Sequence, residues 1–352
     1  MAFLNLYILY LLITEKGSVD KKALFLYFIC IMSLAINNLL GLITPILQTE
    51  IRLAIFILVF NVIGPIFKSS TIDEFKRTLF NFTSYSFPIA FAINLFYIFS
   101  FRNFSLKGVS GIHESPNLLG VIAALSSIWF VIYFYKTNNV TRKIICGLLF
   151  ILTIPILLLS ASRAAILCLV ICLLIIFYTK QKMKIVFLLS FFLLLSIVKN
   201  NVNKYIEPYS KVLMNKVETR NNSGDITAGR AFMYQDNYKD FLINPIFGVG
   251  FYNIVNKENS KINDDGSLEY PSGWFFILST TGLLGFLYFV DLIFKYLKNV
   301  PKVKRLSHEN FEVFLLISFF FIHFNFEGYV FSAGGLLFFL FWVTVSKFKS
   351  IF

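Results

Sequence analysis

Arg163 stands alone in a long apolar run. Between Ile144 and Thr179 it is the only charged residue, within "LLLSASRAAILCLVICLLIIF". A cation at the centre of a bilayer is costly, so this arginine must face something polar. Three other stretches combine chemically useful residues with apolar surroundings. "GVSGIHESPNLLG" (108–120) carries His113, Glu114 and Asn117 directly before an apolar run. "TAGRAFMYQDNYKDFLINP" (227–245) reads as a helix opened by Thr227 and stopped before Pro245. Arg230, Tyr234, Asn237 and Phe241 share one face of it at helical spacing. A cation among aromatics suits a lipid-pyrophosphate or sugar near a membrane interface, and it equally suits a helix lying on the membrane. "HFNFEGYVFSAGG" (323–335) holds Glu327, an acid with no basic neighbour in sequence. Such an acid must be solvated or paired across space, and Arg163 and Arg230 are its candidate partners.

The elements that position these groups are apolar helices. The chain has 352 residues, 57% hydrophobic and 14% charged, with 44 phenylalanines. Its mean hydropathy is +0.73. The apolar runs are continuous, as spanning helices require, and lack the alternation of a membrane barrel. Eleven segments emerge: 2–13, 23–47, 53–67, 82–101, 117–135, 144–162, 164–179, 185–198, 272–294, 311–325 and 328–346. The expected fold is an all-α integral membrane protein with about eleven transmembrane helices, ten to twelve, and one long extracytoplasmic loop containing short helices. Residues 1–198 form N-terminal transmembrane helices, 199–271 the loop and 272–352 C-terminal transmembrane helices, all serving one functional domain. The loop is too long to be structureless in a compact protein unless it has a function.

Charge gives the orientation. The net charge is +13. Odd-numbered connections and the C-terminal tail hold 19 basic residues, whereas the short even-numbered connections hold only Arg52, Arg102, Lys107 and Arg163. Basic residues favour the cytoplasmic side, so the even connections and the long loop face outward. The positive charge is therefore an orientation signal, and nucleic-acid binding is excluded. A single helix over 144–179 would be about 54 Å long, too long for an apolar core of about 30 Å. The flanking connections, 136–143 and 180–184, are both basic. The chain must cross twice between them, with Arg163 at an outer turn, "SASR". An arginine snorkelling to headgroups is the alternative reading. Ser115 suits a helix N-cap and Pro116 a first turn. "PIFGVGFYN" (245–253) lacks the preceding strand and the Lys-Ser/Thr of a nucleotide loop, so Gly248 and Gly250 are expected at tight turns. Cys30, Cys146, Cys168 and Cys172 all lie in apolar runs and read as small buried residues. No basic stretch and small-residue cleavage site mark a cleavable signal.

These motifs resemble those of the bacterial O-antigen polymerase and O-antigen ligase superfamily. "SASRAAIL" is similar to its Ser-Arg-x-Ala turn, and "GRAFMYQDNYKDFLINPIFGVGFYN" to its Arg, aromatic helix and Asn-Pro-hydrophobic-Phe-Gly-x-Gly signature. "PSGWFFILSTTGLLGFLYF" (271–289) resembles the helix after the long loop, and "SGIHESPNLLG" the Pro-Asn entry to an earlier helix. The order matches too, over roughly residues 108–346. One departure is informative: ligases of this superfamily carry a His-Asn pair where this chain has Ser272-Gly273. That favours the polymerase branch and leaves the general base unassigned.

The resemblance implies a GT-C-like glycosyltransferase of the bacterial cytoplasmic membrane, with its active face extracytoplasmic. It would transfer a growing glycan from undecaprenyl pyrophosphate to a hydroxyl of the next undecaprenyl-pyrophosphate-linked oligosaccharide, for an O-antigen or capsule. Arg163 and Arg230 would bear on the leaving pyrophosphate, since a guanidinium offers a planar, permanently charged fork, with no metal or other cofactor. Glu327 is the favoured base, ahead of Glu114, His113, Asp236 and Glu269. His113, Glu114, Asn117, Tyr234, Ser272 and Trp274 would bind substrate, with Tyr238, Phe251 and Tyr252 as further aromatic candidates. Partners would be membrane lipid, a chain-length regulator and a flippase. The rival readings are a ligase, a polysaccharide or lipid-glycan transporter (flippase), and a metal-using glycosyltransferase with an acidic pair in its first outer loop. "QTEIR" offers only Glu50 there.

The orientation is testable by labelling intact cells with a membrane-impermeant thiol reagent. Asp225→Cys should label and Lys302→Cys should not; the reverse pattern would overturn the assignment.

Overall fold

In the computed structural model, residues 1–101, 109–113, 115–160, 162–179, 230–256, 270–333 and 335–352 are described. They contain eleven α-helices. These are α1 (Ala2–Thr14), α2 (Lys21–Leu39), α3 (Thr49–Ile63), α4 (Ser70–Phe101), α5 (Pro116–Lys136), α6 (Val140–Leu159), α7 (Arg163–Thr179), α8 (Arg230–Ile243), α9 (Gly273–Asn299), α10 (His308–His323) and α11 (Leu336–Ile351). Among the described residues, six helical stretches are long and apolar enough to cross a membrane: Lys21–Leu39, Pro45–Ile63, Ser70–Ile98, Pro116–Lys136, Val140–Leu159 and Gly273–Arg305. The protein is a multi-pass helical membrane protein. The expected segment 185–198 lies outside the described residues.

Several boundaries differ from the apolar pattern. The segment expected at 23–47 ends as a helix at Leu39; Gly41 then takes a left-handed turn and Pro45–Leu47 forms a short 3-10 helix. The segment 82–101 extends back to Ser70, because its polar first turns are still helix-compatible. The segment 328–346 becomes helical only at Leu336. Residues 324–333 form turns and irregular chain rather than a two-residue outer turn. The expected break at "SASR" is present: α6 stops at Leu159 and α7 starts at Arg163.

The described residues belong to two compact units, Met1–Phe82 with Gly229–Pro301 and Phe320–Phe352, and Thr83–Ala228 with Lys302–Phe319. In the first unit, α9 packs on α2 and α8, and α3 packs on α1, α2 and α11. Its core is aromatic. The Phe331 ring meets three neighbours, Phe251 at 5.2 Å between centroids, Phe56 at 5.6 Å and Phe276 at 5.6 Å. Trp342 meets Phe60 at 4.5 Å, and its indole N–H donates to the Val330 carbonyl at 2.9 Å. Lipid tails are as apolar as these rings, so close packing and internal hydrogen bonds hold the bundle, not transfer out of water. At one end the first and third connections pair as an antiparallel ladder, β1 (Ser18–Val19) with β2 (Phe67–Lys68). Asp20 caps α2 through the Lys22 and Ala23 amides and pairs with buried Lys349 at 2.8 Å. Burial pushes the Asp20 carboxyl up, but Lys349 and the Ala23 amide outweigh it and hold it below its ordinary range.

In the second unit, α5 packs on α6 and α7. It is buried continuously from Leu119 to Ile128, and Gly120, Ala123, Ala124, Ser126 and Ser127 allow close backbone approach. Ser115 caps it by accepting from the Asn117 amide, with Pro116 in the first turn, as expected. All four cysteines are buried and free.

The most constrained feature is a break in α9. Gly282 has φ 63° and ψ −165° inside the helix, a conformation essentially reserved for glycine. The loop after α8 fills the break. The Val249 amide donates to the Ser279 carbonyl at 2.8 Å, and the Leu283 and Leu284 amides donate to the Pro245 and Ile246 carbonyls at 2.9 and 3.3 Å. Ser33 Oγ donates to the Thr280 carbonyl at 2.6 Å, and Asn37 Nδ2 to the Gly248 carbonyl at 2.8 Å. A Cβ at Gly282 would collide with the Ile246 carbonyl, and one at Gly248 would lie 2.5 Å from the Ser279 carbonyl oxygen. Gly282→Ala should therefore destabilise the protein by at least about 1–3 kcal/mol, read as a lower thermal midpoint of the detergent-solubilised protein. Gly147→Ala, where nothing lies within 4 Å, should leave it unchanged. Equal midpoints for both variants would contradict this account.

Candidate functional site

The second unit joins two of the four sequence motifs. After α6, the Ser160 amide donates to the Ile156 carbonyl at 2.9 Å, and the Ser162 amide donates to Ser160 Oγ at 3.3 Å. This turn lies directly against Gly120 of "SPNLLG": a Cβ there would sit 2.5 Å from Ser162 Cβ. The Val109 amide donates to the Leu159 carbonyl at 3.0 Å. Arg163 is exposed and is the first residue of α7. A helix N-terminus carries partial positive charge and unsatisfied N–H groups. A cation there is unfavourable to the helix, so helix stability does not explain Arg163. A helix N-terminus and a guanidinium are each able to bind an anion.

Asn94 of α4 holds the preceding loop. Its Oδ1 accepts from the Ile112 amide at 3.1 Å, and its Nδ2 contacts His113 Nε2 at 3.1 Å. His113 is half-buried, and burial lowers its pKa. Asn117 is exposed. Glu114 lies outside the described residues.

The first unit joins the other motifs. Arg230 begins α8, and Tyr234 follows one turn later. The Tyr234 ring stacks on Phe275 at 5.2 Å, and its hydroxyl donates to the Asn325 carbonyl at 3.2 Å. Residues 270–273 are fastened to 324–328. The Gly273 amide donates to the Phe324 carbonyl at 2.7 Å and the Gly328 amide to the Tyr270 carbonyl at 3.0 Å. Glu327 is half-buried on this fastened segment, its amide donating to the His323 carbonyl at 3.1 Å. A Cβ at Gly273 would lie 3.1 Å from Phe324 Cγ, which accounts for glycine there. Trp274, half-buried, meets the Phe324 ring at 5.3 Å.

Some expected contacts are redirected. Ser272, read as substrate-binding, is buried, and its Oγ donates to the Phe324 carbonyl at 3.0 Å. Its hydroxyl closes the fastening between the two segments. Phe251 and Tyr252, read as sugar-stacking candidates, are 0% and 2% exposed. Phe251 belongs to the core, and Tyr252 lies under the Arg52 guanidinium at 4.6 Å. Asp236 is also buried, facing inward from α8. Glu269 lies outside the described residues.

Three polar residues escaped the sequence reading. His323 ends α10 fully buried, with Nδ1 3.3 Å from the Tyr329 hydroxyl and Arg230 near enough for its charge to act on the ring. Asp240, also fully buried, accepts from the Val255 and Asn256 amides and Asn256 Nδ2, tying α8 to the following turn. Burial raises its pKa, against the hydrogen bonds from Asn256 and Val255. Asn94 is the third. Their helices carry other polar residues too, and nothing in the type or spacing of these three sets them apart.

None of the curated proteins compared matches the chain. A family model described as O-antigen ligase matches residues 148–290. That span takes in the "SASR" turn, α8 with its glycine loop, and the first part of α9, leaving "SGIHESPNLLG" before it. Over these residues the chain is similar to that family, in keeping with the O-antigen polymerase and ligase superfamily.

Proposed function

We propose that the protein polymerises lipid-linked oligosaccharide repeat units for a surface polysaccharide, on the extracytoplasmic side of the bacterial cytoplasmic membrane. The donor is a glycan on undecaprenyl pyrophosphate, and the acceptor is a hydroxyl of the next repeat unit. The acceptor oxygen attacks the anomeric carbon, the bond from that carbon to the pyrophosphate oxygen breaks, and the acceptor proton passes to a base. The observation that carries this reading is Arg163: an exposed guanidinium on the first residue of a helix, where the helix itself gains nothing from it. Charge builds on the leaving pyrophosphate, and a bidentate cation beside helix N–H groups stabilises it. Arg230 is the second candidate for phosphate, beside an aromatic helix face. Glu327 is the candidate base.

Ser272-Gly273 in place of a His-Asn pair supports the polymerase branch. The description of the matching family favours a second reading, transfer of finished glycan to a final acceptor by a ligase. A transporter is less well supported. Transporters use broken helices to bind substrates and ions, but at the break in α9 the freed groups of Ser279, Thr280, Leu283 and Leu284 are taken by neighbouring backbone and Ser33. Deletion should leave single repeat units on the carrier lipid and no long polymer. Full-length polymer that fails to reach its acceptor would support the ligase instead.

Arg163→Lys keeps the charge and removes the fork. A lost charged hydrogen bond of about 1.5–3 kcal/mol should lower polymer formation roughly ten- to hundredfold at unchanged protein level. Arg230→Lys and Glu327→Gln at matched expression complete the comparison. Wild-type polymer length and yield in Arg163→Lys would reduce that arginine to an interfacial anchor, since lysine snorkels as well.

A further inference from the structure

Asn94 meets the His113 ring through a carboxamide held by two further partners. Its carboxamide is 0% exposed and makes three contacts: Oδ1 with the Ile112 amide at 3.1 Å, Nδ2 with the Ala90 carbonyl at 2.8 Å, and Nδ2 with His113 Nε2 at 3.1 Å. The first two fix the amide's orientation. A backbone N–H can only donate, and a carbonyl can only accept, so Oδ1 faces Ile112 and Nδ2 faces Ala90. The remaining Nδ2 hydrogen then points at His113 Nε2, which must offer a lone pair. A neutral imidazole with Nε2 bare has its proton on Nδ1. The loop is built around this contact. Gly111 takes φ +65°, a Cβ there would collide with Asn94 Oδ1, and the His113 amide closes a turn onto the Ser110 carbonyl at 3.2 Å. Burial also disfavours the imidazolium, whose Nε2–H would face the Nδ2 hydrogen.

We infer that Asn94 is a positioning residue that holds His113 as a neutral Nδ1–H donor, so that His113 meets substrate by donating to a phosphate or sugar oxygen and does not act as the general base through Nε2. The role in transfer rests on the polymerase reading; the tautomer does not. Glutamate and aspartate in the same place would do the opposite. A carboxylate accepts from both the Ile112 amide and a protonated Nε2, which inverts the tautomer or creates the imidazolium.

The protein has three histidines, His113, His308 and His323, so nitrogen-15 NMR of histidine-labelled protein in lipid nanodiscs is tractable, with His308→Gln and His113→Gln for assignment. At neutral pH, wild-type His113 should show a bare Nε2 and a protonated Nδ1. Asn94→Asp should move the proton to Nε2 and lower glycan transfer about tenfold, the effect of one hydrogen bond to a charged group. A wild-type His113 protonated at Nε2 would overturn the inference, and this measurement needs neither a variant nor activity. An inverted tautomer in Asn94→Asp with undiminished transfer would overturn the donor role. If the protein proves not to be a polymerase, the deletion phenotype reports it while the tautomer signature stands.

Discussion

The architecture of the first unit depends on one exchange of backbone hydrogen bonds. Lipid supplies no water to satisfy a broken helix, and each orphaned group there costs several kcal/mol. α9 nevertheless breaks at Gly282, and the strand of chain after α8 occupies the gap. Val249 takes a carbonyl that α9 gives up, while Pro245 and Ile246 receive amides that it frees. The two segments are more than thirty residues apart, yet neither backbone is satisfied without the other. Because α8 runs directly into that loop, the seating of the loop also fixes where α8 ends. Asp240 adds a second tie by gathering the amides of Val255 and Asn256.

Aromatic packing performs the same service for the acid. Burying Phe331 against Phe56, Phe251 and Phe276 draws the chain before α11 into the bundle instead of letting it continue as helix. The consequence is an irregular segment on which Glu327 lies, fastened at Phe324 and Gly328 to residues 270–273. A two-residue helical turn would have left this carboxylate on a tip. The fastening explains why small residues occupy positions 272, 273 and 328: Ser272 and Gly273 approach the Phe324 backbone closely, and a Cβ at Gly328 would lie 2.6 Å from Tyr270 Cβ.

In the second unit the controlling constraint is the approach of α5 to the "SASR" turn. Gly120 lets the turn sit against the start of α5, and the Leu159 carbonyl receives the Val109 amide from the loop that also carries His113. Ser160 and Ser162 are therefore held close to α5, and Arg163 opens α7 beside them. Its chemistry follows from position as much as from residue type. A guanidinium at the C-terminal end of a helix would serve as a cap for carbonyls; at the N-terminal end it adds to a field that already attracts anions.

The sequence by itself determined the membrane class, the break between two helices before Arg163, the cap at Ser115, the helix bearing Arg230 and Tyr234, and the likeness to the superfamily. Each of these follows from local information: run length against bilayer thickness, capping residue types, 3.6 periodicity and motif order. It did not determine that α9 breaks, that residues 324–333 leave the helix, or that Ser272, Phe251 and Tyr252 are interior. Apolar periodicity cannot separate a helix from an extended segment whose side chains are buried by distant partners. Nor could it find Asn94, His323 or Asp240. A polar residue among others on a helix acquires meaning only from the groups opposite it. The Ile112 amide, the Tyr329 hydroxyl and the Asn256 amide come from other stretches of the chain, and only the tertiary fold brings them within hydrogen-bond distance.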